Sequence, residues 1–178
     1  MNVLFVAPSG ARAKALATET RRAVDAGHRV LLVAEGESKL DGHELDGRVQ
    51  THWIGSSRLS YTEPRATRLF RRRLPLAVLR RVGRGPLRAR ARRAAKDWRE
   101  RVVAPLDAEQ KTRTQRMRRD RRDAVVREQV QGWAPDWVVL HEPLAVEAVA
   151  GFLPALIAER PALRTTYAFE ELWDETDG

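Results

Sequence analysis

The first 34 residues run apolar, amphipathic, apolar, and no other feature of the sequence constrains the fold as tightly. Val3-Leu4-Phe5-Val6-Ala7 shows no polar alternation, the pattern of a strand buried on both faces. Pro8-Ser9-Gly10 ends it. From Arg12 onward Ala13, Leu16, Ala17, Thr20, Ala23 and Val24 recur at helical spacing, leaving Arg12, Lys14, Glu19, Arg21 and Arg22 for the outer face. Gly27 stands where a left-handed C-cap is needed, and Val30 to Ala34 forms a second apolar run. A strand, a helix and a strand over this length make a βαβ unit with parallel strands. Val49 to Ile54 follows as a third strand, after a loop around Gly36, Gly42 and Gly47.

The C-terminal part repeats the grammar. Trp133-Ala134-Pro135-Asp136 is a turn, and Trp137-Val138-Val139-Leu140 is a buried-strand run. A helix is expected from Pro143 through Arg160, with Leu144, Ala148, Phe152, Leu156 and Ile157 on one stripe. Pro154 inside it predicts a kink or a break. Leu163 to Phe169 completes five strands. The expected fold class is α/β: a doubly wound, mostly parallel Rossmann-like sheet, with residues 1–178 as one domain.

Between the two sheet-forming parts the composition changes. Pro64 to Val130 holds 23 Lys/Arg against seven Asp/Glu, a net of +16, whereas the remainder holds ten against 17, a net of −7. The segment has no strand pattern and reads as an Arg-rich helical insertion over 64–130. A short helix over Pro75 to Val82 is expected, broken at Gly83-Arg84-Gly85-Pro86, then a helix from Pro86 to Pro105 and a third capped by Asp107. The front half of the third, Lys111 to Arg122, is nearly all polar and is expected to be exposed.

So uneven a charge points to a polyanion, an anionic membrane surface, nucleic acid or an acidic protein, with plain solvated helices as the alternative. Leu69-Phe70-Arg71-Arg72-Arg73-Leu74 and Leu76 to Val82 mix bulky apolar residues with arginine, the composition of a segment that lies in a membrane interface. Phe70, Arg71, Arg72, Arg73, Arg80 and Arg81 are the candidate contacts, each cation contributing about 1 kcal/mol near an anionic leaflet. Nucleic acid is less favoured, because only Phe70 and Trp98 are available for stacking and no helix-turn-helix, zinc or RNP pattern occurs. The chain has no cysteine, which excludes a disulfide framework and a thiolate nucleophile or metal site. No apolar run approaches the roughly 18 residues of a spanning helix, and Val3 to Ala7 is too short for a signal peptide. A cytoplasmic protein, peripheral on the inner membrane face, is expected.

Open α/β sheets bind ligands beyond the C-terminal ends of their strands. Here those positions are the Pro8–Arg12 loop, Glu35-Gly36, His141-Glu142 and Phe169-Glu170-Glu171. With Gly10 alone, the first loop matches no dinucleotide or ATP fingerprint. Its N–H groups, with Arg12 and Lys14, suit a phosphate, although a plain βα turn reads the same. Ser9, Gly10 and Arg12 are therefore substrate-binding candidates. His141 and Glu142 are the catalytic candidates, as a general base or as groups that orient a hydroxyl; His141 packed under a loop is the alternative. Glu170 and Glu171, with Asp174 and Glu175, form an acidic cluster suited to sugar hydroxyls, or simply a solvated terminus. His28, His43 and His52 show no metal-ligand spacing with carboxylates, and no metal is expected.

Val3 to Pro8, the helix ending Ala26-Gly27-His28-Arg29-Val30, Pro135 to His141, and Thr166 to Glu175 together resemble, in this order, the N-terminal half of GT-B glycosyltransferases. The likeness is to the family-4-like group of bacterial retaining enzymes and covers residues 1–55 and 133–178. It implies a transferase fold of two Rossmann-like domains around a cleft, the first for the acceptor and the second for a nucleotide-sugar. Gly10 only partly matches that family's Gly-rich first loop. In its D-x-H-E-like stretch, Glu171 keeps the acidic end while Glu170 stands in place of the histidine. The resemblance implies an acceptor-binding half, with His141 at the acceptor hydroxyl and Glu142 in support. These 178 residues leave no room for a donor domain, so a donor-domain partner chain is expected and no cofactor on this chain alone. A non-catalytic Rossmann-like binding module and a basic nucleic-acid-binding protein remain the alternatives.

Overall fold

The computed structural model describes residues 1–40, 42–82 and 88–169. The chain divides into two compact units, Met1–Arg58 with Arg119–Gly178, and Leu59–Arg118.

In the first unit, β1 (Asn2–Ala7), β2 (Arg29–Ala34), β3 (Gln50–Trp53), β4 (Trp137–Leu140) and β5 (Arg164–Thr166) form one sheet in the order β3-β2-β1-β4-β5. Every ladder is parallel, with Val3 opposite Val30 and Trp137, and Val138 opposite Thr165. The continuous apolar runs of β1 and β4 are buried on both faces. Val3, Phe5 and Ala7 point with Val30 and Leu32 toward α1 (Ala13–Asp25), which inserts Leu16, Ala23 and Val24. Leu4, Val6, Leu31 and Val33 point the other way. There they meet Val125, Val126 and Val130 from the end of α5 (Ala104–Trp133), together with α6 (Pro143–Val149) and α7 (Leu153–Glu159). Helices on both faces of a parallel sheet make this a doubly wound, Rossmann-like α/β fold. Each fully buried Val, Leu or Phe contributes about 1.5–3 kcal/mol through the area it removes from water.

Local chemistry sets the element ends. Gly27 takes φ +81° after α1, and the N–H groups of Gly27 and His28 bond back to the carbonyls of Val24 and Ala23, closing the helix with a residue that carries no Cβ penalty. The helix expected over Pro143 to Arg160 is broken between α6 and α7, just ahead of Pro154. Leu144 and Ile157 are exposed, while Ala145, Val149 and Leu153 take the core positions. The last strand is shorter than its apolar stretch suggests. Phe169 lies beyond it, yet its ring packs 4.8 Å from Trp137, 5.8 Å from His28 and 6.1 Å from Phe5.

The second unit is helical: α2 (Arg65–Thr67), a π-helical stretch Arg68–Arg73, α3 (Leu74–Val82), α4 (Arg88–Trp98), a second π-helical stretch Arg99–Val103, and the start of α5. The break expected at Gly83 to Pro86 lies outside the described residues. The expected boundary at Pro105 does not exist, for α4, the π turn and α5 run on continuously. Proline crowds the carbonyl four residues back and cannot donate; the wide turn before it accommodates both. Asp107 therefore caps nothing and lies inside α5, where its carboxylate bonds Arg72. Among the described residues of this unit none is fully buried. The basic segment also splits differently from its composition: α5 beyond Arg118 belongs to the sheet unit, where Arg122 is buried and bonds Asp123 and Glu147.

Candidate functional site

The strand order reverses between β1 and β4, and a doubly wound sheet opens its binding crevice at that point. The β1–α1 loop and the end of β4 meet there. The Glu142 carboxylate accepts from the backbone N–H of Ser9 and from its hydroxyl, and lies 3.4 Å from the Ala11 N–H. These bonds fold the loop into a fixed turn. Gly10 sits at its apex with φ +66°, and a Cβ placed there would come within 2.8 Å of the Lys39 carbonyl oxygen. Only glycine fits so close a backbone approach. The chemistry expected of Ser9, Gly10 and Glu142 thus begins with geometry, since the structure brings all three together.

His141 is 2% exposed. Its backbone N–H bonds the Val6 carbonyl, continuing the β1 ladder, and its Nε2 lies 3.3 Å from Glu19 Oε1. The other oxygen of Glu19 accepts from the Phe169 N–H at 2.9 Å. Burial alone would raise the Glu19 carboxyl, but the bonds from His141 and Phe169, with the charges of His141 and Arg12, hold it below its ordinary value. Its spacing puts Glu19 on the outer face of α1; the side chain turns inward instead, beside the core stripe, where His141 and Phe169 offer it partners. Periodicity cannot reveal a partner 122 residues away.

Beside this turn, a cavity of about 670 Å³ runs along α1. Gly10, Ala11 and Arg12 line one end, Lys14, Thr18, Glu19 and Arg22 the helix side, and His43 the β2–β3 loop. Arg12, Lys14, Arg22 and His43 are exposed, so the cavity wall presents three permanent cations and one imidazole against a single carboxylate. Arg12 was expected here. Arg22 and His43 were not, though Arg22 follows from Arg12, Lys14 and Thr18 by helical spacing. Glu35, at the end of β2, is spoken for: it accepts from Ser56 Oγ at 2.7 Å and from the Ser57 N–H, holding the turn after β3. Glu170 and Glu171 lie outside the described residues. Among the described residues no group of three or more His, Asp or Glu side chains comes together as a metal site.

The contacts assigned to a polyanion belong to the second unit and differ among themselves. Phe70 is 65% exposed, and Arg71, Arg73, Arg80 and Arg81 also lie at the surface. Arg72 does not join them. Its guanidinium bonds Asp107, pairs with Glu63 at 2.7 Å and reaches Gln110, and the Asp107 bond first of all raises its pKa. It is a structural cation, which corrects its place among the contacts. The same unit ties Tyr61 to α5 through Thr114 and Gln110, with Arg113 stacked 5.0 Å above its ring. Among the described residues no helix is long and apolar enough to cross a membrane.

The sheet and its switch-point crevice define a Rossmann-like α/β protein with a ligand-sized, cation-lined cavity. No family model, curated protein or solved structure matches the chain.

Proposed function

We propose that the chain is the acceptor-binding half of a GT-B-like glycosyltransferase, working at the cytoplasmic face of an anionic membrane, with the nucleotide-sugar held by a second domain on a partner chain. One observation carries the acceptor part: the loop at the β1/β4 switch point is clamped by Glu142 and opens beside a cavity walled by Arg12, Lys14, Arg22 and His43. Such a wall suits an acceptor bearing a phosphate or carboxylate, because loop N–H groups and guanidinium forks both favour an anion. His141 and Glu142 enter the proposal as positioning residues. Glu142 fixes the loop, and His141 lies beneath it in contact with Glu19.

Their burial also favours a second reading, a binding module with no chemistry of its own. A transfer assay separates the two. In the first, the purified chain alone transfers no labelled sugar from nucleotide-sugars, and adding a donor-domain chain gives product that Glu142→Ala abolishes. Product from the chain alone overturns the half-enzyme reading. No product with any donor-domain chain, while a hexose phosphate still binds, leaves the binding module.

A further inference from the structure

The helical run from Arg65 to Val82 carries an apolar stripe on its open side. Leu69, Phe70, Leu74 and Val78 are 46%, 65%, 41% and 56% exposed. Phe70, Leu74 and Val78 are spaced four residues apart, one helix face. The opposite side is spent inside the unit: Arg72, Leu76 and Leu79 are partly buried, and the Trp98 indole N–H bonds the Arg71 carbonyl at 3.0 Å. Around the stripe stand Arg65, Arg68, Arg71, Arg73, Arg80 and Arg81, all exposed. From Pro64 to Lys96 the sequence holds thirteen Lys/Arg and no Asp/Glu. Two carboxylates beside this helix, Glu63 and Asp107, both go to Arg72.

We infer that this stripe is a membrane-docking surface: Phe70, Leu74 and Val78 enter the boundary between headgroups and acyl chains, while the flanking arginines lie on anionic phosphates. The inference rests on the proposed membrane location, not on sugar transfer, and names the surface responsible. Charge complementarity selects the occupant. A face with cations and no acid repels basic partners and fits an anionic one. The stripe then chooses among anions, since a phosphodiester backbone is bound by cations and stacking rings and has no use for exposed Leu and Val. A lipid interface buries both kinds of side chain at once.

The 178-residue chain is sedimented with vesicles of phosphatidylcholine alone or mixed with phosphatidylglycerol. Binding is expected to the mixed vesicles only. The Phe70→Ser/Leu74→Ser/Val78→Ser variant is expected to bind them at least about tenfold more weakly. Because the chain has no cysteine, Phe70→Cys and Thr112→Cys each take one environment-sensitive label. Mixed vesicles should shift the emission of the first to the blue and leave the second unchanged. Undiminished binding by the triple variant, or no shift at position 70, overturns the assignment of this surface while the membrane location stands. No binding by the wild type to either vesicle overturns both. Salt-sensitive binding to polyuridylate in place of vesicles overturns both in favour of a nucleic-acid face.

Discussion

Glu142, just beyond the end of β4, holds Ser9, just beyond the end of β1, by both its hydroxyl and its backbone N–H. The two residues stand 133 apart in sequence and meet where the strand order reverses. A carboxylate engaged in this way fixes the shape of the loop that faces the cavity. Removing it leaves a donor pair unpaired at a part-buried site, a cost of about 1–3 kcal/mol, whereas loss of the serine hydroxyl alone costs about 1 kcal/mol. Glu142→Ala is therefore expected to lower the urea midpoint more than Ser9→Ala. The reverse order would remove Glu142 as the organiser of the loop.

Gly10 and Gly27 both adopt positive φ, at +66° and +81°, but only Gly10 is crowded. Gly27→Ala meets nothing within 4 Å and is expected to cost about 1 kcal/mol, the conformational penalty alone. Gly10→Ala adds a collision with the Lys39 backbone and is expected to cost more and to weaken ligand binding as well. Equal losses for the two, by urea denaturation, would show that the close approach of the two loops is dispensable.

Glu19 links α1 to His141, just beyond β4, and to Phe169. Its carboxyl is held below its ordinary value, so the folded state favours the ionised form. The stability this confers is present above the unfolded value, about 4.5, and is lost as the pH falls through the lower folded value. Glu19→Gln should thus be destabilised near neutral pH and show a flatter decline of Tm than the wild type on acidification from pH 5. Parallel Tm profiles would remove the His141 and Phe169 bonds as the cause.

Arg72 gathers Glu63, Asp107 and Gln110 into one unit that has no fully buried residue among those described. Networks of this kind contribute about 1 kcal/mol, more than an isolated surface pair. Arg72→Gln is expected to speed amide hydrogen exchange across residues 65–82, and Arg73→Gln to leave it unchanged. The same acceleration in both variants would contradict the difference drawn between these adjacent arginines.

The centre of the sheet could be read from the sequence because β1, β2 and β4 are buried on both faces. Such burial writes itself as unbroken apolar runs at Val3 to Ala7, Val30 to Ala34 and Trp137 to Leu140, and the break ahead of Pro154 follows from ring sterics. The switch-point positions of Ser9, Gly10 and Glu142 followed from those strands. Long-range pairing could not be read: Glu19 looks like any outward helical residue until His141 is brought to it, and Arg72 looks like its neighbours until Glu63 and Asp107 close on it. Pro105 misled for a local reason, since a wide turn can absorb a proline that an α-helix would not.

The acceptor site is tested most directly by amide chemical shifts of the labelled 178-residue chain, titrated in turn with a hexose phosphate, the unphosphorylated hexose and a uridine-diphosphate sugar. The hexose phosphate should move the Gly10, Ala11, Ala13 and His43 amides, the plain hexose should do so far less, and Arg12→Ala with Arg22→Ala should weaken the response about tenfold. Shifts at these amides caused by the nucleotide-sugar in preference to the hexose phosphate, or by none of the three, would contradict an acceptor-side site in this cavity.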